Sequence, residues 1–478
     1  MSDLLTQPAV DLLALLSANK LSAMELVDLH IARIEQLNPL LNAIVDFDPG
    51  RIRQQARALE ESAANQTTPR GPLHGLPLTI KSSISVADYH CETGSLLNKG
   101  RRPTDDAEAV KRLRNAGAII LGTTNCPEFL MAYETDNRLY GRTSNPWDLK
   151  RTAGGSSGGE SAAIAAGLSA CGLGSDGGGS VRTPAHFTGI CALKPTPGRI
   201  PTAGHLPDNT GPFALLGTVG PMARTIADVT LLFHVLSGAL DIDPIGAPVH
   251  VLPLSRESIK QTRIGYFEDD GIVPVTAETR HAVQDAVHSL RRHGFHVEPF
   301  RPQSLERARQ LWYTFFVRCG AMLLEPATSG RESDLSPTFL DFLSIAHAHP
   351  PLTGDQMLAA WCETDLLRSQ LLTEMRDFPI LLSPVCSIPA FLHGEREWTL
   401  QDSTGAPHAL DYLDAMRFTQ WFSLLGSPAA VVPVGRSSEG LPIGIQLAGR
   451  PFADELVLSI AAALEQDFGY TLPAALNG

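Results

Sequence analysis

The sequence predicts an α/β protein with one large domain, in which helices surround a central β-sheet that is mixed and mostly parallel. The first observation is a strand–helix–strand unit, made of a buried strand at 76–80, a helix ending at Gly117 and a strand at 118–121. Units of this kind join parallel neighbours. The second observation is that 43% of the 478 residues are hydrophobic and that no repeat, charge block or linker divides the chain. We therefore expect residues 1–478 to form a single domain.

The N-terminal segment, residues 1–65, is expected to be helical. Ser22 and Glu25 have the spacing of a capping box, and apolar residues follow at helical intervals, namely Leu26, Val27, Ile31, Ile34 and Leu37. Because proline disfavours the helical conformation of the residue before it, the dipeptide Asn38–Pro39 is predicted to end this helix.

The remaining elements follow from the same signals. Residues 104–106 (Thr-Asp-Asp) are predicted to cap the helix of the strand–helix–strand unit. Helices are predicted at 226–236 and 277–293, and an amphipathic helix at 305–324 lies within a helical elaboration of about 300–375. Towards the C-terminus, the pattern of residues indicates strands at 429–434 and 443–447 and a helix at 454–465.

Composition and charge exclude several classes of function. The chain carries 38 Lys and Arg against 51 Asp and Glu, a net charge of −13, so phosphate backbones and anionic lipids would repel it. We therefore expect no nucleic-acid partner and no membrane association. The seven cysteines are scattered without a CxxC pair, which favours a reducing cytoplasm and predicts no metal site. No apolar run approaches the roughly 18 residues that span a bilayer.

Two glycine-rich segments, 154–159 and 172–180, need a structural reason, because glycine in regular structure costs about 0.5–1 kcal/mol relative to alanine. Tight turns beneath a packed sheet are one explanation. Gly172-x-Gly174-x-x-Gly177 matches the dinucleotide fingerprint, but Pro184 stands where an apolar helix should begin. The stretch from Gly155 to Gly159 matches the nucleophile elbow, but the polar residues 145–152 precede it instead of a hydrophobic strand.

A third interpretation combines the glycines with Lys81, which ends an apolar strand where a charge is unexpected. A serine hydroxyl needs a base to act as a nucleophile, and a desolvated lysine can be that base. The glycines before Ser180 would let consecutive backbone N–H groups converge on one point, as an oxyanion hole requires. A solvated strand end remains the alternative explanation of Lys81.

On these residues the sequence resembles the amidase signature family. The specific part of the resemblance is an ordered series of motifs within a signature core at 72–225: Gly154–Gly159, Ser175–Ala185, Gly189 and Leu193–Thr196. Weaker similarity covers most of the chain, at 122–125, 127–129, 144–146, 219–224 and 442–447.

The resemblance implies a Ser–cis-Ser–Lys triad of Ser180, Ser156 and Lys81, in which Ser180 is the nucleophile and Ser156 relays its proton to Lys81. It also implies an oxyanion hole at the backbone of residues 177–180 (Gly177, Gly178, Gly179 and Ser180). Supporting hydrogen bonds are implied for Ser157, Asp176 and Arg182. No metal or organic cofactor is implied. Where many members carry Asp after the lysine, this chain has Ser82, which removes an acidic neighbour.

The implied reaction is hydrolysis of a small amide through a serine acyl-enzyme. Residues predicted for the substrate pocket are Met131, Tyr133, Trp312, Phe316 and Trp421, although aromatic residues at helical spacing also serve as core. If Trp312 and Phe316 line the site, an apolar or aryl acyl group is favoured. Carbamates share the same carbonyl chemistry and are included in the prediction.

Two other functions are weighed against this one. The first is the glutaminase subunit of a tRNA-dependent amidotransferase, a family relative, but residues 216–221 lack the Ser-Leu-Asp-like run of that branch. The second is a nucleotide-binding oxidoreductase that uses the glycine fingerprint. The sequence does not determine the oligomeric state, and a homodimer is the default expectation because it is the commonest assembly.

Overall fold

The fold is described from a computed structural model that covers residues 2–64, 70–250, 254–402 and 404–473. Residues 1 and 65 of the predicted N-terminal segment lie outside these ranges. Within the ranges the strands are β1 (Ile44–Phe47), β2 (Pro77–Lys81), β3 (Ile119–Thr124), β4 (Ser144–Asn145), β5 (Asp148–Thr152), β6 (Cys171–Asp176), β7 (Cys191–Lys194), β8 (Thr218–Ala223), β9 (Arg263–Tyr266), β10 (His296–Pro299), β11 (Ile380–Pro384), β12 (Glu397–Gln401), β13 (Pro407–Asp411), β14 (Ala429–Arg436) and β15 (Pro442–Gly449).

Helices lie between and around these strands. In chain order the α-helices are α1 (Ala9–Ser17), α2 (Ala23–Leu41), α3 (Pro49–Ala64), α4 (Glu108–Asn115), α5 (Gly158–Ala165), α6 (Arg182–Thr188), α7 (Pro212–Leu216), α8 (Ile226–Leu236), α9 (Arg256–Lys260), α10 (Ala277–Arg292), α11 (Leu305–Trp312), α12 (Cys319–Thr328), α13 (Pro337–His347), α14 (Gly354–Glu374), α15 (Tyr412–Ala415), α16 (Arg417–Leu424) and α17 (Asp454–Glu465).

In the described part of the chain, eleven strands form one mixed sheet in the order β1-β3-β2-β6-β8-β7-β14-β15-β11-β9-β10, which confirms the predicted α/β class. The expectation that the sheet is mostly parallel is wrong. Four neighbouring pairs are parallel, whereas six are antiparallel. The strand–helix–strand unit does place β2 and β3 parallel. The later strands include β14 and β15, whose five-residue connection is too short for a parallel crossover.

The middle of the sheet brings two strand ends together. Strands β2 and β6 are parallel neighbours, with Thr79 opposite Gly172 and Ile80 opposite Leu173. Lys81 at the end of β2 and Asp176 at the end of β6 therefore leave the sheet at the same edge. Helix α5 begins directly after Ser157 and packs against both strands. The site described below is built at this edge.

Most of the predicted element boundaries are confirmed, but not all. The N-terminal segment, predicted to be helical, also contains strand β1, whose residues pair with β3. Helix α2 begins with the predicted capping box of Ser22 and Glu25 but continues through Pro39 to Leu41, because a proline in the last turn removes only one helical hydrogen bond. Helix α4 begins after Ala107 without a side-chain cap. Asp106 instead accepts hydrogen bonds from the Ala87 N–H and the Arg114 guanidinium.

The predicted amphipathic helix at 305–324 is present, but it is not continuous. Helix α11 passes into a π-helical segment, Tyr313–Arg318, before α12 begins. The segment lies where the aromatic side chains of this helix meet the glycine-rich loop after β6. Among the described residues, no helix is both long and apolar enough to cross a membrane.

Candidate active site

Lys81 is the buried basic group of the site. Its side chain has no solvent exposure, and Nζ lies 2.6 Å from Ser156 Oγ and 3.1 Å from Ser175 Oγ. Burial lowers the pKa of Lys81 from 10.5 to about 8, although Cys126, Asp176 and Glu160 oppose the shift. A substantial fraction of this amine is therefore neutral near pH 8, and a neutral amine can accept a proton.

Ser156 follows a cis peptide bond to Gly155, and the residues around it fix its position. The Ser157 N–H donates to the Ser180 carbonyl oxygen at 3.1 Å, and Ser157 Oγ donates to the Ser175 carbonyl oxygen at 3.3 Å. These bonds tie the start of α5 to the end of β6 and to the loop that follows it. The two serines predicted to exchange a proton, Ser156 and Ser180, line one cavity as a result.

Asp176 and Arg182 form a fully buried ion pair behind the glycine-rich loop. The Arg182 guanidinium donates from Nη2 to Asp176 Oδ1 at 2.9 Å and from Nε to Oδ2 at 3.1 Å. Burial alone would raise the pKa of Asp176, but Arg182 lowers it to about 2. The carboxylate also accepts the N–H groups of Gly179 and Val181, at 2.7 and 3.1 Å. Asp176 is thus the anchor of the loop that carries Ser180.

The loop carbonyls are held by a second set of side chains. Trp312 Nε1 donates to the Gly177 carbonyl at 2.9 Å, while the hydroxyls of Tyr133 and Thr419 donate to the Gly178 carbonyl at 2.9 and 2.6 Å. A Cβ at Gly178 would lie 2.5 Å from Trp312 Cζ2. The glycines are therefore needed because aromatic side chains lie directly against the loop backbone.

The predicted oxyanion hole needs one correction. The Gly179 N–H already donates to Asp176 and so is not a free donor. Among the described residues, the N–H groups of Gly177, Gly178 and Ser180 donate to no backbone carbonyl. These three remain available for a developing oxyanion, whereas Gly179 has a structural role.

Ser180 lies between two cavities and borders both. The larger, of about 370 Å³, contains the side chains of Tyr133, Trp312 and Phe316 in its wall. The smaller, of about 50 Å³, includes Ser156 in its wall. A substrate carbonyl at Ser180 would therefore extend one substituent into each cavity.

Four of the five residues predicted for the pocket, Met131, Tyr133, Trp312 and Phe316, line the larger cavity. The rings of Trp312 and Phe316 are stacked, with centroids 4.9 Å apart. Trp421 does not line it. Its side chain is fully buried and packs against Phe267, Phe418 and Phe422, so the prediction for this residue is wrong. Sequence spacing could not separate a core tryptophan from one that lines a cavity.

The other two glycine motifs are explained by the same structure. Gly172 and Gly174 lie within strand β6 itself, where a Cβ at Gly172 would meet Glu160 Oε1 at 1.8 Å, so they form no phosphate-binding turn. Ser157, the serine of the nucleophile-elbow motif, follows no strand of the main sheet, and its hydroxyl is hydrogen-bonded to the Ser175 backbone. Neither the dinucleotide site nor the nucleophile elbow is formed.

The sequence reasoning missed two polar neighbours of Lys81, Ser175 and Glu160. Ser175 contacts Nζ directly. The Glu160 carboxyl is fully buried, accepts hydrogen bonds from Thr79 and Thr124, and has its pKa raised to about 8 by burial. Nothing in the sequence marks a glutamate in the first turn of a helix that begins with two glycines as a neighbour of Lys81. Ser82, which stands where many members have Asp, instead contacts Cys126 Sγ at 3.3 Å.

Within the described ranges, no group of three or more His, Cys, Asp and Glu side chains is arranged to hold a metal ion. The chemistry that the site offers is that of its serine hydroxyls, one buried amine and the backbone N–H groups. These are the groups needed for acyl transfer to a serine.

Comparisons with known proteins agree with this geometry. A family model described as Amidase matches residues 25–458. The chain is 33% identical over 471 residues to the indoleacetamide hydrolase of Bradyrhizobium diazoefficiens, covering 96% of this chain and 86% of that protein. It is also 33% identical over 471 residues to a glutamyl-tRNA(Gln) amidotransferase subunit of Roseiflexus castenholzii, covering 95% and 94%.

Among solved structures, a bacterial aryl acylamidase of the amidase signature enzymes has a TM-score of 0.83 and 26% identity, covering 97% of this chain and 96% of that one. The match to the family model spans the strands, the glycine-rich loop and the buried lysine described above. The chain therefore belongs to the amidase signature family, and it is a hydrolase of carbon–nitrogen bonds other than peptide bonds.

Proposed function

We propose that the protein hydrolyses small amides with an apolar or aryl acyl group, and that Ser180, Ser156 and Lys81 are its catalytic triad. The observation that carries the proposal is the 2.6 Å contact between Lys81 Nζ and Ser156 Oγ in a fully buried setting. Ser156 and Ser180 border the same cavity, which provides a route for a proton from the nucleophile to the amine.

The reaction proceeds in two halves. In the first, Ser180 Oγ forms a bond to the amide carbonyl carbon, and its proton passes through Ser156 to the neutral Lys81. The oxyanion is stabilised by the free N–H groups of Gly177, Gly178 and Ser180. The C–N bond then breaks, and the leaving nitrogen takes a proton back from Ser156. In the second half, water repeats the sequence on the acyl-enzyme and releases the acid.

The larger cavity supports the choice of acyl group. Its volume of about 370 Å³ is in the range that holds small organic ligands, and its wall near Ser180 is aromatic. Arg396, the one basic side chain among the residues that line this cavity, already pairs with Glu134 and Asp341, while the acidic residues Glu397 and Asp411 also border it. The relatives whose names include indoleacetamide and aryl acylamide are consistent with an aryl substituent. Carbamates have the same carbonyl and are part of the proposal.

The second candidate is a glutaminase that works within an amidotransferase, and the similarity to the amidotransferase protein of Roseiflexus castenholzii favours it. Free glutamine carries an α-carboxylate and an α-ammonium, which need charged partners beside Ser180. The one cation among the residues that line the larger cavity, Arg396, already pairs with Glu134 and Asp341, so the α-carboxylate would find no unpaired cation there. We therefore expect glutamine to be a poor substrate.

The test is a panel of phenylacetamide, acyl anilides, aryl carbamates and glutamine, in which released ammonia or amine is measured for the wild type and for Ser180→Ala. Release from aryl amides that falls by at least about 10⁴-fold in Ser180→Ala supports the proposal. Release that persists in the variant removes Ser180 as the nucleophile. Activity on glutamine alone would favour the second candidate.

A further inference from the structure

The two cavities at Ser180 differ in size and in which catalytic residue they contain. Ser156 borders only the smaller cavity, whereas Tyr133 and Trp312 border only the larger. Four residues are shared by both walls and mark the opening between the cavities: Leu130, Met131, Ser180 and Phe316. An amide centred at Ser180 thus has two distinct sides.

Proton transfer determines which side of the amide enters which cavity. In the proposed mechanism, the leaving nitrogen receives its proton from Ser156, so it must lie within hydrogen-bonding distance of that hydroxyl. Because Ser156 is in the wall of the smaller cavity, the nitrogen and its substituents point there. The acyl group then occupies the larger, aromatic cavity.

The smaller cavity has little room for such substituents. Its volume of about 50 Å³ corresponds to a few water molecules, because one water needs roughly 10–15 Å³ measured in this way. Its wall is closed on one side by Leu216, which is fully buried. On another side Asn209 bonds to Thr202 Oγ1 and to the Gly217 carbonyl, which ties the wall together.

Polar groups in the same wall suit a small amine. The polar residues Thr202, Asn209 and Thr218 belong to it. The His205 ring donates from Nδ1 to the Pro207 carbonyl at 3.0 Å, and its Nε2 accepts from Ser83 Oγ at 3.4 Å. Ammonia can form hydrogen bonds with such groups, whereas an aryl ring can neither fit nor replace them.

We propose that the enzyme is specific for primary amides, with a bulky aryl or apolar acyl group in the larger cavity and ammonia as the product that leaves through the smaller one. This inference rests on the proposed function and adds the class of leaving group to it. Anilides and N-alkyl amides are accordingly poor substrates, although aniline is the better leaving group.

The experiment varies one side of the amide at a time. Phenylacetamide, its N-methyl, N-ethyl and N-phenyl derivatives, and acetanilide are compared by kcat/KM, with the released carboxylic acid measured by chromatography. We expect kcat/KM to fall by at least about 100-fold from phenylacetamide to the N-ethyl and N-phenyl amides. Acetanilide, which has the aryl group on the nitrogen side, is expected to react as slowly as these.

A pair of variants separates the two cavities. Leu216→Ala enlarges the smaller cavity and is expected to raise the ratio of N-ethyl to primary amide kcat/KM by about tenfold. Ile345→Ala, which changes only the larger cavity, is the matched control and is expected to keep the wild-type ratio. If Leu216→Ala does not fold, the kcat/KM values of the wild type across the substrate series still test the inference.

Two results would overturn the inference and leave the proposed function standing: an N-phenyl amide hydrolysed as efficiently as phenylacetamide, or acetanilide preferred to phenylacetamide, each with Ser180→Ala inactive. A protein that hydrolyses none of these amides, or whose activity survives Ser180→Ala, would instead contradict the proposed function itself.

Discussion

At the scale of single residues, the proposed chemistry depends on the protonation of Lys81. Because burial lowers its pKa to about 8, the ammonium predominates below that pH and cannot accept the proton of Ser156. The same shift affects stability, because the unfolded chain binds this proton more tightly than the folded chain does. The free energy of unfolding therefore decreases as the pH falls from 10.5 to about 8.

We therefore expect kcat/KM on a neutral amide to rise with pH, about tenfold per unit below pH 8, and to level off above it. Lys81→Met should reduce activity by at least about 10³-fold and abolish this acidic limb. The control is Lys194→Met, since Lys194 is a second buried lysine with a lowered pKa, of about 7, that bonds only to backbone carbonyls. If the rise of kcat/KM with pH were lost in Lys194→Met but kept in Lys81→Met, the assignment of Lys81 as the base would be contradicted.

The sequence alone singled out most of the residues that the structure brings together at this site. Lys81 could be singled out because a charge at the end of an apolar strand is unusual, and Asp176, Arg182 and the two serines lie in a recognisable series of motifs. The Gly179 N–H could not be assigned in advance, because whether a peptide N–H faces the cavity or Asp176 depends on the rotation of one peptide plane.

At the scale of elements, the glycine-rich loop and the helix α11 with its π-helical continuation act as one unit. Residues Trp312 and Phe316, four apart in this helix, stack on one another and press on the loop. Aromatic spacing predicted the helix, but not the π-helical segment or which residues of it would face the loop. Trp312 and Phe316 contact Gly178 and Gly177 in the loop after β6, which is distant in sequence, so their neighbours could not be read from the helix itself.

Gly178→Ala tests this packing. The added Cβ would lie 2.5 Å from the indole of Trp312, so the loop or the ring must move, and such overpacking costs about 1–3 kcal/mol. We expect kcat to fall by at least about tenfold and the melting temperature to decrease. Gly354→Ala is the matched control, because a Cβ there meets nothing within 4 Å. It should leave kcat unchanged and should not lower the melting temperature, since alanine is favoured over glycine in helix α14. Equal behaviour of the two variants would refute the role given to the loop.

At the scale of the whole molecule, buried ion pairs join segments that are far apart in the chain. Arg199, which lies after β7, pairs with Asp454 at 3.2 Å and with Glu455, both in the first turn of α17. Asp454 also accepts the N–H and the hydroxyl of Thr196. The C-terminal helix is thereby fixed to the part of the chain that follows the glycine-rich loop.

Removing one partner of this network should be costly. Arg199→Met leaves the buried carboxylate of Asp454 without its counter-ion, and we expect the free energy of unfolding in urea to fall by about 3–5 kcal/mol. Arg53→Met, at an exposed pair with Asp28, is the comparison and should change stability by less than about 1 kcal/mol. A loss in Arg199→Met no larger than this would show that the network contributes little.

The overall architecture was predictable only in part. Local patterns identified α8 and α17 with their correct boundaries, and the strand–helix–strand unit gave the α/β class. The balance of parallel and antiparallel pairs was not readable, because it depends on how β6, β7 and β8 assemble with β14 and β15. The sequence of a single strand does not reveal which strands it pairs with in the folded protein.

The contact between Trp312 and Gly178 also limits how the substrate range of this enzyme can evolve. A smaller residue at 312 would widen the larger cavity, but it would also remove the donor to the Gly177 carbonyl and loosen the loop that carries Ser180. Phe342 and Ile345 border the same cavity and make none of the loop's hydrogen bonds described above. Drift in acyl preference between lineages should therefore accumulate on that wall, while positions 178 and 312 change only together.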